Sequence, residues 1–233
     1  MRKLLFIAAI FLFAGNVQSQ TDVYSISSGE LIFGWADVES DGQNLANNMR
    51  FTAFLHLGQY VHFDFSNAIG IYSGVALRNI GFITEDDALD LEKEKHRSYT
   101  LGMPVALKLG SFRNNTYIYG GAEYELLFHY KYKYWEDGQK YKTSEWFSNR
   151  TNRFVPSLFA GIQLPKGLNL KFKYYLDDFL NTDFKKGDNP RNDYSRFGKT
   201  QMFHVSLCWQ INTKDIRKVW DWEYESESMA RIK

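Results

Sequence analysis

Period-two alternation of apolar and polar residues runs through eight stretches of this chain, and it limits the fold more than any other feature. In the last stretch, Gln201 to Ile211, Phe203, Val205, Leu207, Trp209 and Ile211 share one parity. His204, Ser206, Cys208 and Gln210 share the other. From Leu168 the pattern repeats, with Leu168, Leu170, Phe172, Tyr174 and Leu176 alternating with Asn169, Lys171, Lys173, Tyr175 and Asp177. A strand projects successive side chains to opposite faces, so this pattern marks a strand between two different environments. The other six stretches read as Glu30 to Val38, Arg50 to Phe65, Ile69 to Ile83, Arg97 to Leu109, Tyr117 to Tyr134 and Arg153 to Leu164.

The start of the chain suggests what one of those environments is. Arg2 and Lys3 precede an apolar core from Leu4 to Gly15, and Val17-Gln18-Ser19 supplies a cleavage context. Residues 1–19 therefore read as a signal peptide, with the mature chain beginning at Gln20. The apolar run falls short of the about 20 residues a spanning helix needs. No later segment is long and apolar, which excludes a bundle of membrane helices. Exported strands with one lipid-facing side must close into a barrel, because hydrocarbon leaves open edges unsatisfied. Long and short connections alternate, which places both chain ends on the short-turn, periplasmic side. Aromatic residues make up 17% of the chain, an excess that interfacial girdles explain.

The expected fold is all-β: an eight-stranded antiparallel up-and-down transmembrane β-barrel, monomeric and surrounded by outer-membrane lipid, over residues 20–212. A soluble barrel of lipocalin type, with its apolar face inside, would alternate as well. Small residues on the polar parity (Gly70, Gly74, Gly102, Ala106, Gly161) suit a crowded lumen better than a solvated surface. Tyr130, Tyr132, Tyr134 and Trp135 cluster toward the loop end of the fifth stretch, where a membrane interface would hold them. Residues 213–233, with Trp220, Trp222 and Tyr224 among charges, read as a periplasmic tail and a handle for a periplasmic partner. A net charge of +1 gives no field for nucleic acid, and Cys208 has no second cysteine to pair with.

Two segments carry a resemblance: RFTAFLHLGQYVHFDFSNAIGIYSGVALRNIGFI from Arg50 and RFVPSLFAGIQLPKGLNLKFKYYLDDFL from Arg153. They resemble small outer-membrane β-barrel proteins of the Bacteroidota type, similar to the OmpA-like and PorT-like barrel class. The resemblance spans Glu30 to Asn212 and rests on strand pattern. It implies the outer membrane of a Gram-negative bacterium and brings no active-site residues with it.

The polar parity carries charges of both signs: Asp64, Glu123, Glu125 and Asp177 against Arg50, Arg78, Lys108, Lys131, Lys171 and Lys173. Eight strands leave room only for side chains, and an unpaired buried charge is costly. These groups are therefore expected to pair as a lumen plug, together with Phe54, Tyr60, Tyr72, Phe159 and Tyr175. Acid–base work by Glu123 and Glu125 lacks a nucleophile and a cleft. His56, His62, His129 and His204 fall on the polar parity without close metal-ligand spacing, so they read as hydrogen-bonded interior histidines, and no metal or cofactor is expected. Ser206 and His204 share a face, but no nucleophile elbow accompanies them. In the loop from Asn181 to Lys199, Lys185, Lys186, Arg191 and Arg196 stand where lipopolysaccharide phosphates would be met, balanced by Asp183, Asp188 and Asp193. The sequence thus reads as a non-enzymatic structural or surface-interaction barrel. The alternatives are a lipopolysaccharide- or small-ligand-binding barrel and an outer-membrane lipid-modifying enzyme.

Overall fold

The structure, a computed structural model, describes residues 21–86, 91–136, 138–187 and 189–212. The signal segment 1–19 and the tail 213–233 lie outside the described residues. The strands are β1 (Asp22–Ser40), β2 (Gln43–Asn44), β3 (Ala46–Asn48), β4 (Arg50–Thr52), β5 (Leu57–Asp64), β6 (Ile69–Asp86), β7 (Leu91–Ser111), β8 (Thr116–Glu136), β9 (Gln139–Trp146), β10 (Phe154–Gln163), β11 (Leu168–Tyr175) and β12 (Phe197–Asn212).

Eight of them pair in the order β10-β11-β12-β1-β5-β6-β7-β8, all antiparallel. The ring closes where β10 pairs back onto β8, from Phe154 against Leu126 to Gln163 against Tyr117. Closure matters because each wall strand then finds hydrogen-bond partners on both sides. One end is bounded by tight connections. Ser66 Oγ accepts from the amides of Ala68 and Ile69 before β6. Single 3-10 turns, Phe112–Asn114 and Pro165–Gly167, join β7 to β8 and β10 to β11.

The other end is built differently from expectation. The described residues of the acidic stretch after Ile83, 84–86 and 91–95, are strand rather than connection, since β6 and β7 stay paired out to Asp86 and Leu91. Beyond Tyr134, where a polar loop was expected, β9 folds back onto β8. The first strand starts at Asp22, well before Glu30. The second is interrupted at Ala53–His56, where Leu55 adopts a φ of 59°. Phe54, expected inside, is 70% exposed in that break.

Side-chain parity sorts the wall into two faces. Leu57, Val61, Ile71, Val75, Leu101, Met103, Val105, Leu107, Leu158, Leu170, Phe172, Leu207 and Trp209 are exposed, whereas the intervening positions are buried. The apolar face is thus the outer one, the reverse of a lipocalin-type barrel. One irregularity breaks the pattern. Tyr99 pairs with His129 but Thr100 pairs with Leu127, so Phe128 is an extra residue in β8. Such a bulge shifts every later side chain to the opposite face. Tyr130 and Tyr132 are consequently buried inside, and His129, Lys131 and Lys133 lie on the outer face, opposite to the sequence expectation.

The interior is layered. Tyr60, Tyr72, Tyr117, Tyr119 and Phe159 form one apolar cluster with Ala76 and Ala106 on the short-turn side. A second, beneath the long loops, gathers Ile80, Phe82, Leu127, Tyr130, Tyr132, Phe179, Leu180, Tyr194 and Phe197. Charged side chains fill the level between, and two glycines make room for them and their neighbours. A Cβ at Gly102 would strike the Glu123 carboxylate, and one at Gly161 the Tyr119 hydroxyl.

Candidate functional site: charged layers of the lumen

The mid-barrel layer draws one or two residues from each of four strands. Glu30 comes from β1, Arg78 from β6, Glu123 and Glu125 from β8, and Lys171 and Lys173 from β11. Arg78 is the hub. Its Nη2 and Nε donate to Glu30 Oε1 and Oε2 at 3.0 and 3.2 Å. Its Nη1 donates to Glu123 and, at 3.0 Å, to Glu125. Lys171 donates to Glu30 at 2.7 Å, and Lys173 bridges Glu123 and Glu125 at 2.6 and 2.8 Å. Three carboxylates thus meet three cations, and the group is neutral as a whole. Neutrality with multiple hydrogen bonds is the condition under which buried charges offset their desolvation. The Tyr60 hydroxyl, 3.2 Å from Arg78 Nη2, ties the layer to the aromatic cluster next to it.

A smaller cluster lies toward the short-turn end. Lys108 Nζ is 2.5 Å from Asp64 Oδ1, 2.9 Å from His62 Nδ1 and 3.3 Å from the Tyr24 hydroxyl. Tyr24 in turn donates to the second Asp64 oxygen at 3.1 Å. Tyr24 and Asp64 also line an open cavity of about 740 Å³ at the barrel mouth, with Asp22, Phe112, Arg113 and Gln210.

At the opposite end, past the apolar outer band, a third cluster forms on Glu94. It accepts from Tyr132 and from Arg196 at 3.0 and 3.2 Å, and His96 Nε2 lies 3.3 Å away. His96 Nδ1 bonds the Tyr130 hydroxyl at 2.6 Å, which meets Tyr194 at 3.0 Å, and Arg150 donates to Tyr194 at 3.2 Å. Burial pushes the Glu94 carboxyl up, but His96, Arg196 and Tyr132 outweigh it and hold the group at about 2.

The structure brings Asp64, Arg78, Lys108, Glu123, Glu125, Lys171 and Lys173 into the two lumen clusters. Three residues expected with them lie elsewhere, one of them Arg50, which is buried and donates to the carbonyl and side-chain oxygens of Asn79. Lys131 sits outside, its Nζ 5.0 Å from the Tyr99 ring centre, because the bulge turned it over. Asp177 is exposed past the end of β11 at Tyr175. In the loop, Lys185 pairs with Asp193 at 2.5 Å, Arg191 pairs with Glu136, and Arg196 reaches inward to Glu94. Lys186 is exposed. Glu30, Glu94 and His96 were missed. Their signal was parity: Glu30 adjoins the outward Leu31, and 94 and 96 continue the even-numbered inner face of β7.

The histidines do not converge. His56 bonds the Glu30 carbonyl, His62 belongs to the Lys108 cluster, and His129 stacks on Trp146 outside. Among the described residues no group of three or more His, Cys, Asp or Glu is placed to hold a metal ion. His204 Nε2 and Ser206 Oγ are both buried without a hydrogen-bond partner, so they form no nucleophile–base pair.

No protein-family model matches the chain, and no curated protein sequence does either. Among solved structures it is similar to Ail, the attachment invasion locus protein of Yersinia pestis, in complex with the heparin analogue sucrose octasulfate. Identity there is 16%, over 83% of this chain and 100% of that one, with a TM-score of 0.37. It is also similar to Neisserial surface protein A, at 8% identity over 83% and 99% of the two chains and a TM-score of 0.39. The outer membrane protein OprG from Pseudomonas aeruginosa gives 11% identity over 84% and 99%, with a TM-score of 0.38.

Proposed function

We propose that this protein is a non-enzymatic outer-membrane β-barrel of a Gram-negative bacterium, in which a sealed lumen serves as a rigid stand for surface loops. The observation that carries this reading is the inversion of its two faces. Aliphatic and aromatic side chains are exposed around the wall, while three carboxylates and three cations are buried at its centre. In water such a protein would expose its oil and bury its charge; in a bilayer the same arrangement is the stable one. The reading includes cleavage after residue 19, a monomeric state, and a tail, residues 213–233, in the periplasm beside the short turns.

The layers support the sealed reading. An aromatic cluster lies on each side of the ion layer, so an ion crossing the lumen would have to displace both rings and salt bridges. Enzymatic chemistry has no support from His204 and Ser206, which are unpaired with one another. Lipopolysaccharide contact through Lys185, Arg191 and Arg196 is weakened, since each already has an acidic partner.

Refolding the mature chain in detergent tests the proposal. Folded protein should migrate faster than boiled protein on a gel, and planar-bilayer recordings should show no steady conductance. A mature chain that is monodisperse without detergent would end the membrane reading. Large reproducible current steps would replace a sealed stand with a channel.

A further inference from the structure

Beyond the bulge, β7, β8 and β9 form a three-stranded sheet whose outer face is built from four cross-strand rows. Nearest the apolar wall stand Tyr99, His129 and Trp146; next come Arg97, Lys131 and Ser144; then Lys95, Lys133 and Lys142; and last Lys93, Trp135 and Lys140. Seven of these twelve side chains are cationic and none is acidic. Lys95, Lys133 and Lys142 are directly opposed, as are Arg97 and Lys131, and like charges so placed on a sheet destabilise it.

Among the described side chains, the acids of this sheet are all on the other face, and each already holds an arginine. Glu94 pairs with Arg196, Glu136 with Arg191 and Glu145 with Arg150. On the flanking strand β6, Glu85 accepts from Asn48. Repulsion on the outer face is visible in the groups themselves. The Lys95 ammonium is pushed down to about 8, first by burial and then by Arg50, Arg97, Lys93 and Lys133. Arg97 Nε is buried with no partner.

The row beneath gives the level. Tyr99 stacks on His129 at 5.6 Å and His129 on Trp146 at 4.2 Å, an aromatic strip continuous with Leu101 and Met103 on the wall. Aromatic strips of this kind mark the membrane interface. Arg97 and Lys131 stand two residues farther out, about 7 Å along the strand. That is the depth of lipid headgroups, and lipid phosphates are the anions concentrated there.

We propose that this face is a binding site for the phosphate groups of anionic lipid in the outer leaflet, with Lys95, Arg97, Lys131 and Lys133 at its centre. The inference rests on the membrane orientation proposed above. The phosphates complete the charge balance that the inner face achieves with its own arginines, and Arg97 offers a fork suited to bidentate phosphate contact.

The test uses the mature chain in phosphatidylcholine nanodiscs, with and without bis-phosphorylated lipid A. Lipid A should raise the temperature at which the barrel loses its fast gel mobility, and fully dephosphorylated lipid A should not. In Lys95→Gln/Arg97→Gln/Lys131→Gln/Lys133→Gln, lipid A affinity measured by co-purification should fall at least about tenfold. The same variant should fold in plain phosphatidylcholine, because it relieves the repulsion and gives up only the Lys131 contact with the Tyr99 ring. Lys95→Arg/Lys131→Arg/Lys133→Arg should retain the affinity, and Lys185→Gln/Lys186→Gln should leave it unchanged. A quadruple variant with wild-type affinity would overturn the proposal. So would a lipid A effect reproduced by inorganic phosphate or by a soluble sulfated sugar. A mature chain that never enters nanodiscs defeats the membrane reading itself, whereas one that inserts without lipid A preference defeats only this site.

Discussion

The ion layer at mid-barrel and the dome beneath the long loops occupy the same lumen but hold it in different ways. Mid-barrel residues all come from wall strands, and they match charge for charge: Glu30, Glu123 and Glu125 with Arg78, Lys171 and Lys173. The dome is mostly rings, with Phe82, Tyr130 and Tyr132 from wall strands capped by Phe179 and Tyr194 from the connection before β12, around one carboxylate. A neutral cluster remote from water fails as a unit when one charge is removed. A packed cluster near water loses only what the missing group contributed. The two regions should therefore answer substitution on different scales.

The largest effect is expected at Arg78. Replacing it by Met leaves three carboxylates facing two lysines and should cost about 3–5 kcal/mol in urea unfolding from detergent micelles. Lys173→Met combined with Glu125→Gln restores neutrality and should cost less than Lys173→Met alone. If the two losses simply add, the layer is not one electrostatic unit. Next comes the wall outside the same layer. Phe172→Arg places a charge on the apolar face beside Lys171 and should cost about 2–4 kcal/mol near the bilayer midplane. Tolerance of Phe172→Arg by a correctly folded barrel would mean that this face does not meet lipid.

The smallest effect is expected in the dome. Glu94→Gln removes the Glu94–Arg196 ion pair and should cost about 1–3 kcal/mol. Because Glu94 is held at about 2, below the about 4.3 of an unfolded chain, its contribution is fully present above that higher value. It is lost as pH falls toward 2. Protection factors at Tyr194 and Phe197, referred to the intrinsic exchange rate at each pH, should accordingly fall below about pH 4 in the wild type. Glu94→Gln should flatten that dependence, and an equally steep profile in the variant would assign it to another group.

Much of the wall was legible because β7, β11 and β12 keep a period of two, and β6 keeps it through most of Ile69–Leu77. The lumen charges Arg78, Glu123, Lys171 and Lys173 followed from parity alone. Beyond Leu127, β8 misled for a physical reason. Tyr130, Tyr132 and Tyr134 alternate with His129, Lys131 and Lys133 whichever face they take, and a one-residue bulge leaves no mark on alternation. Pairing against the even-numbered face of β7 decided the matter, and pairing is not local information. The dome was hidden differently: Phe179, Tyr194 and Phe197 belong to a segment whose lysines and aspartates read as solvent-exposed, and burial there comes from contacts with distant β7 and β8.

β8 carries a further consequence. Below the bulge its second partner is β10, which closes the ring; above it, the partner is β9. The wall therefore forks. Among the described residues β9 pairs with β8 alone, so beside the two- and three-residue β2, β3 and β4, which also pair on one side only, the molecule carries one long strand whose far side can still accept another. A second copy approaching that margin would bring Lys140 and Lys142 against their own counterparts. Lysines on an edge strand disfavour pairing with a second copy, so the charges that crowd this hairpin also blunt the one long margin the fold leaves open.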